Sequence, residues 1–303
     1  MAHRFGMAIL VILLIGVMLA VPGITGISEA SKSRAARRNY SHVQGIRAPQ
    51  KLVLRSAAAL VQDQQTGECL VQKQAEAVLP IASITKLMTA MVVLDAKMNL
   101  QESLTIVPED VDTLRHSRSR LRVGTGLTRG DALLLALMAS ENRAAHALGR
   151  TYPGGLGAFV AAMNAKAQSL GLAETRFEDP AGISSGNVSS ARDLARMVDA
   201  AYRYQLIREF TTRKKATIHS GRRTREFCNS NRLIRSSRWH IGLSKTGFID
   251  EAGRCLVMQA YIAKRPVLIV LLDSQGNLTR YGDANRIKQW MEGPTAERRK
   301  YRG

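Results

Sequence analysis

A chain of 303 residues, 45% hydrophobic and 22% charged, has globular proportions and enough length for a large buried core, which excludes wholesale disorder and a fibrous fold. Forty-four Lys and Arg against 24 Asp and Glu leave a formal charge of +20, so the partners to consider are anionic: nucleic acid, acidic lipid or envelope polymer. Cys69, Cys228 and Cys255 lie far apart without a C-x-x-C pair, and the six histidines show no ligand spacing, so no disulfide framework, metal site or cofactor is expected.

His3 and Arg4 precede an unbroken run of apolar or small residues, Met7 to Val21, followed by Pro22 and a Gly-rich stretch. With small side chains at Ser28 and Ala30, residues 1–30 are expected to be an export leader cut after Ala30. Met7 to Ile27 is also close to the length that spans a bilayer, so an uncleaved anchor is the alternative. Residues 31–50 carry five basic side chains, no acid and no apolar period, as a flexible basic arm would. Residues 294–303 form a second basic segment, and the body between, 51–293, keeps +12, so the basic character is spread over the folded surface.

In the body, Leu52 to Val61 and Glu68 to Gln72 predict a hairpin around the turn Gln64 to Gly67. Leu87, Met88, Met91, Val92 and Leu94 recur at helical spacing, predicting a buried helix whose first turn carries Ser83 and Lys86. Thr128 with Asp131, and Ser190 with Asp193, mark two further helix starts, and Asn164 to Leu170 predicts a helix ended by Gly171. Beyond Trp239 the period returns to two, predicting strands at Gly242 to Phe248, Arg254 to Ile262 and Val267 to Leu272, closed by a helix over Tyr281 to Met291. Strands at both ends with helices between them imply an α+β unit whose antiparallel sheet draws on distant parts of the chain, with an inserted helical region.

Ser83-Ile-Thr-Lys86 sets a hydroxyl and an amine one turn apart, the equipment of an activated nucleophile, although such a tetrapeptide arises roughly once per chain of this length by chance. Ser140 and Asn142, two residues apart, converge only from a non-helical turn, which the end of an apolar helix at Met138 allows. Lys245-Thr246-Gly247 follows on a predicted strand, where Gly247 is expected to let a substrate backbone approach. Glu141 is read as a surface or cap carboxylate, His146 as structural, Cys255 as a small apolar filler and Asn187 as a chance N-x-S match. Tyr152, Phe248 and Trp239 could line a groove, though core packing is the fate expected for any one of them.

S-x-x-K, S-x-N and K-T-G in this order are the signature of penicillin-binding proteins and β-lactamases. The flanks Pro80-Ile-Ala-Ser-Ile-Thr-Lys-Leu-Met-Thr-Ala, Leu135-Ala-Leu-Met-Ala-Ser-Glu-Asn-Arg-Ala-Ala, Tyr152-Pro-Gly-Gly and Leu243-Ser-Lys-Thr-Gly-Phe resemble the D-alanyl-D-alanine endopeptidases of the penicillin-binding protein 7 type, in the low-molecular-mass D-Ala-D-Ala peptidase family. The resemblance covers about Leu52 to Gly293, and the chain ends where carboxypeptidase relatives add a β domain, which favours the endopeptidase subgroup. It implies a β-lactamase/transpeptidase-like fold and a periplasmic enzyme acting on peptidoglycan cross-links and acylated by β-lactams. It further implies Ser83 as nucleophile, Lys86 as its base, Ser140 as proton relay and Asn142 as holder of the substrate amide. Lys245 and Thr246 would bind the terminal carboxylate, and the amides of Ser83 and Phe248 would receive the oxyanion.

A neutral Lys86 is required, although a free lysine titrates near ~10.4; Lys245 is the expected cause, since a cation 4 to 5 Å away disfavours a second one by roughly 3 to 4 kcal/mol, with desolvation adding to it. The rival readings are a carboxypeptidase using the same residues, a β-lactamase, for which no separate deacylating Glu is identifiable, and a non-catalytic wall-binding protein. The export signal and an aromatic content of 5% argue against a nucleic-acid partner, and the basic surface suits an anionic envelope.

Overall fold

The computed structural model describes residues 52–220 and 223–293; the expected leader, basic arm and basic tail lie outside the described residues. In chain order it forms β1 (Ala58–Asp63), β2 (Cys69–Lys73), β3 (Leu79–Pro80), α1 (Lys86–Asp95), β4 (Ser103–Thr105), β5 (Gly126–Thr128), α2 (Arg129–Met138), α3 (Asn142–Arg150) and α4 (Gly155–Ser169). There follow β6 (Val188–Ser189), α5 (Ala191–Tyr202), α6 (Gln205–Thr212), β7 (Lys215–Ser220), β8 (Arg223–Cys228), β9 (His240–Ile249), β10 (Gly253–Ile262), β11 (Arg265–Ser274) and α7 (Thr279–Glu292). Among the described residues no helix is long and apolar enough to cross a membrane.

Five strands make the central sheet in the order β2-β1-β11-β10-β9, antiparallel throughout, so the first and last parts of the body pair as the pattern requires. β11 is apolar at nearly every position because both of its faces are covered. Leu268, Val270 and Leu272 face the helical side, whereas Val267, Ile269 and Leu271 pack with Tyr281, Ala284, Ile287 and Met291 of α7. The tight link between β10 and β11 turns through Ala263 and Lys264, both at left-handed φ (50° and 64°), whose backbone twist matches that of the flanking strands.

On the helical side, α1 is buried from Lys86 to Val93 and packs against α2, α3, α4, α5 and α6. A helix surrounded in this way is apolar all round, and the one charged residue at its start is carried into the interior with it. The two predicted caps are present: Thr128 Oγ1 accepts from Asp131 N at 3.0 Å, and Ser190 Oγ from Asp193 N at 3.1 Å.

Two expectations are corrected, and one hairpin was not expected. The strand expected from Leu52 begins only at Ala58, because the preceding amides of Arg55 and Ser56 donate to the Asp283 carboxylate and are not free to form a ladder. The helix expected from Asn164 starts at Gly155, behind Gly154 at φ 84°, a glycine entry without the polar cap a sequence search relies on. The β7–β8 hairpin has no counterpart in the sequence reading, since among its described side chains only Ile218 and Phe227 are buried and the alternation is faint.

Asp283 ties the start of the body to α7. Its buried carboxylate also accepts from the Ser56 hydroxyl at 2.6 Å and from Arg286. Burial pushes its pKa up, but these donors outweigh burial and hold it below the ordinary carboxylate value. Its contribution is therefore complete at neutral pH and is lost as the pH falls through that lowered value. Asp283→Ala strands several buried donors at once and is expected to cost about 3 kcal/mol, read as a loss of roughly 6 to 12 °C in Tm.

Candidate active site

Ser83 sits in a single turn of 3-10 helix, Ala82–Thr85, just before α1 and not on α1 itself as expected. With three residues per turn, side chains at i and i+3 eclipse, so the Lys86 amine is brought directly over the Ser83 hydroxyl, Nζ to Oγ 2.7 Å. The turn is entered through Ala82 at φ 47° and is clamped by two glycines. A Cβ on Gly182 would lie 2.0 Å from Ala82 O, and one on Gly247 would lie 2.8 Å from Ile81 O and 3.2 Å from Ser83 N. The missing side chain of Gly247 thus admits the Ser83 turn itself against β9, a role beyond the substrate approach expected of it.

Lys86 is fully buried, and its Nζ has two further partners, Asn142 Oδ1 at 2.7 Å and Ala181 O at 2.5 Å. Burial pushes its pKa down to about 7, against the pull of the Asp179, Glu141 and Asp112 carboxylates toward the charged form. A neutral amine has only two hydrogens. Asn142 Oδ1 and Ala181 O are acceptors only and take both, which turns the nitrogen lone pair toward the Ser83 hydroxyl.

The cause expected for a neutral Lys86, repulsion by Lys245, is corrected: desolvation leads, and the repulsion is felt at the other lysine. Lys245 is buried and held well below the ordinary lysine value, first by burial and then by the charges of Lys86 and Arg280. Its Nζ donates to Ser140 Oγ at 2.7 Å and to Thr246 O at 2.9 Å. Ser140 lies in the expected non-helical turn between α2 and α3, at a left-handed φ of 62° that a non-glycine residue holds only under constraint. Asn142 opens α3 and donates through Nδ2 to Ser117 Oγ at 2.8 Å, and Thr246 Oγ1 donates to Ser230 Oγ at 2.7 Å.

Ser83, Lys86, Ser140, Asn142, Lys245, Thr246 and Gly247 thus line one cleft bounded by β9, the edge strand of the sheet. Phe248 continues that strand, and its ring is exposed beneath the Arg254 guanidinium, 4.2 Å from the ring centroid, where core packing was expected. Tyr152 packs edge-on against Phe159, and Trp239 is buried on the α7 side. His146 stands apart, bonded to Asp110 at 2.9 Å, and Cys255 is buried on β10, paired with Gly247 across the ladder. Glu141 is not on the surface: it is buried and accepts from the Ser119 hydroxyl at 2.6 Å and the Arg120 amide at 3.0 Å.

Several participants escape a sequence reading. Ala181 acts through its carbonyl, so its side chain gives no signal, although the Asp179-Pro-Ala-Gly turn around it does. The Asp179 carboxylate gathers the amides of Ala181 and Gly182, each at 2.6 Å, and of Ser184 at 2.8 Å, fixing where that carbonyl points. Asn187, whose position in an N-x-S match gives no hint of this, is fully buried: it accepts from Glu178 N at 2.7 Å and donates to Asp179 O at 2.8 Å and Thr85 Oγ1 at 3.1 Å, tying this loop to the Ser83 turn.

A hydroxyl facing a buried amine, with a second lysine and a second serine across an edge-strand cleft, is the chemistry of a serine acyl-transfer enzyme. The family model described as D-alanyl-D-alanine carboxypeptidase matches residues 45–276, and the chain belongs to that family of serine peptidases. The D-alanyl-D-alanine endopeptidase of Pseudomonas aeruginosa is 49% identical over 246 residues, 80% of this chain and 79% of that protein. Its namesake in Escherichia coli is 45% identical over 239 residues, 78% and 77% of the two chains. The Streptomyces K15 DD-transpeptidase structure aligns with a TM-score of 0.74 at 29% identity, covering 79% of this chain and 98% of that one, which bears out the α+β transpeptidase-like fold.

Proposed function

We propose that Ser83 carries the acyl group in a DD-endopeptidase reaction on the D-alanyl cross-links of peptidoglycan. The observation that carries this reading is the short Lys86 Nζ to Ser83 Oγ contact of a buried amine whose two hydrogens are already taken. Ser83 Oγ attacks the D-alanyl carbonyl while its proton passes to Lys86, and the tetrahedral oxyanion is received by the amides of Ser83 and Phe248. As the C–N bond breaks, Ser140, held by Lys245 Nζ at 2.7 Å, hands its proton to the departing amine and receives in its place the proton that Lys86 took from Ser83. Water then cleaves the ester and regenerates Ser83.

Lys245 and Thr246 hold the carboxylate beside the scissile amide, and Asn142 holds the acyl-side amide. A carboxylate arriving at Lys245 brings a counter-charge beside its buried amine and favours the ammonium form. A penicillin enters by the same route and is expected to remain on Ser83 as a slowly hydrolysed ester.

Residues 1–30 serve as the export leader to the periplasm, 31–50 as a basic arm and 51–293 as the catalytic body. The endopeptidase names of the 45–49% identical relatives support cross-links as the substrate. Mature protein incubated with cross-linked muropeptide dimers and with monomeric pentapeptides is expected to release monomers from the dimers. Cleavage of pentapeptides alone would instead make it a carboxypeptidase.

A further inference from the structure

Residues 115–122 read Arg-His-Ser-Arg-Ser-Arg-Leu-Arg and run along the cleft without regular secondary structure. Their side chains alternate. Ser117 and Ser119 turn inward to Asn142 and Glu141, and Leu121 enters the core. Arg118, Arg120 and Arg122 are all exposed on the outer side. This is the period-two alternation of an extended chain, with the wall of the site on one side and a row of guanidinium groups on the other.

The row is not neutralised. The guanidinium groups of Arg118 and Arg122 form no hydrogen bond or ion pair among the described residues. Arg120 donates to the backbone carbonyl of Glu226 at 2.6 Å, and Arg225 of β8 reaches back to the carbonyl of Arg120, so both keep their charge. The neighbouring Glu226 carboxylate is engaged by Lys215 at 2.8 Å. Arg115, by contrast, turns inward and is paired with Glu251.

We propose that the Arg118–Arg120–Arg122 ridge, extended by Arg225, is a docking strip for the acidic stem peptides of the polymer whose cross-links this cleft opens. The proposal rests on the endopeptidase reading for the identity of the ligand. Its inner side is the wall that carries Ser117 against Asn142, so a chain held on the ridge is presented to Ser83. Stem peptides joined through diaminopimelate carry free carboxylates, and a guanidinium matches a carboxylate with two parallel hydrogen bonds. Single-stranded nucleic acid fits less well, for it needs aromatic platforms, and Phe227, the ring under Arg120, is buried.

The test measures binding in the full chain carrying Ser83→Ala, so that ligand is held without turnover. At low salt, Arg118→Gln with Arg122→Gln is expected to raise the Kd for cross-linked dimers by about three- to tenfold, the effect of two rim charges. Dimers whose side carboxylates are amidated should already show that loss and suffer no more from the double substitution. An unchanged Kd, an equal loss for amidated dimers, or preferential binding of an oligonucleotide or anionic lipid vesicles over the dimers would overturn the ridge. Failure of the active enzyme to cut dimers that bind on the ridge would instead count against the endopeptidase reading alone.

Discussion

Ser83→Ala is expected to abolish labelling by a fluorescent penicillin and to reduce DD-peptidase activity by at least about 10³-fold, the scale on which removal of a covalent nucleophile is measured. The Ser83 hydroxyl contributes little to packing. Among the described residues its one hydrogen bond besides that to Lys86 is a long one to Ala181 O at 3.4 Å, so the variant should melt close to the parent temperature. Mass spectrometry of a penicillin-treated tryptic digest should find the adduct on the peptide containing Ser83. An adduct elsewhere, or full labelling of the alanine variant, would sink the assignment.

Lys86 offers the second large effect, and its sign follows from burial. The pKa is pushed down to about 7, so the amine is largely a base at pH 8 and an ammonium at pH 5. The rate of acylation should therefore climb tenfold per pH unit below the midpoint and level off above it, standing at pH 5 at about one-hundredth of its plateau. Lys86→Met, which keeps the chain in the apolar interior without the amine, should lower the plateau by about 10²- to 10⁴-fold and remove this limb of the profile. The same depression acts on stability with a defined direction. The unfolded lysine keeps its proton to near ~10.4 and the folded one only to about 7, so the penalty is greatest below neutrality and is relieved as the pH rises between those values. A profile that is flat between pH 5 and 8 would mean that Lys86 does not take the Ser83 proton.

The chain itself settles much of this. Three short motifs in order name the hydroxyls and amines, and their reactivity needs those functional groups in any fold. The apolar periods of α1, α2 and β9 to β11 determine which elements form, because burying a continuous apolar face requires the matching repeat. Tertiary structure decides what such a reading leaves open. It shows that Ser83 rides on a 3-10 turn, that Gly247 is small for the sake of that turn, and that Glu141 is buried. It also shows that the orienting acceptor for Lys86 is the backbone carbonyl of Ala181, nearly a hundred positions away. Side-chain identity carries no signal for a carbonyl. The charge state of an amine depends on how much water the surrounding helices exclude, a quantity that exists only once those helices have packed.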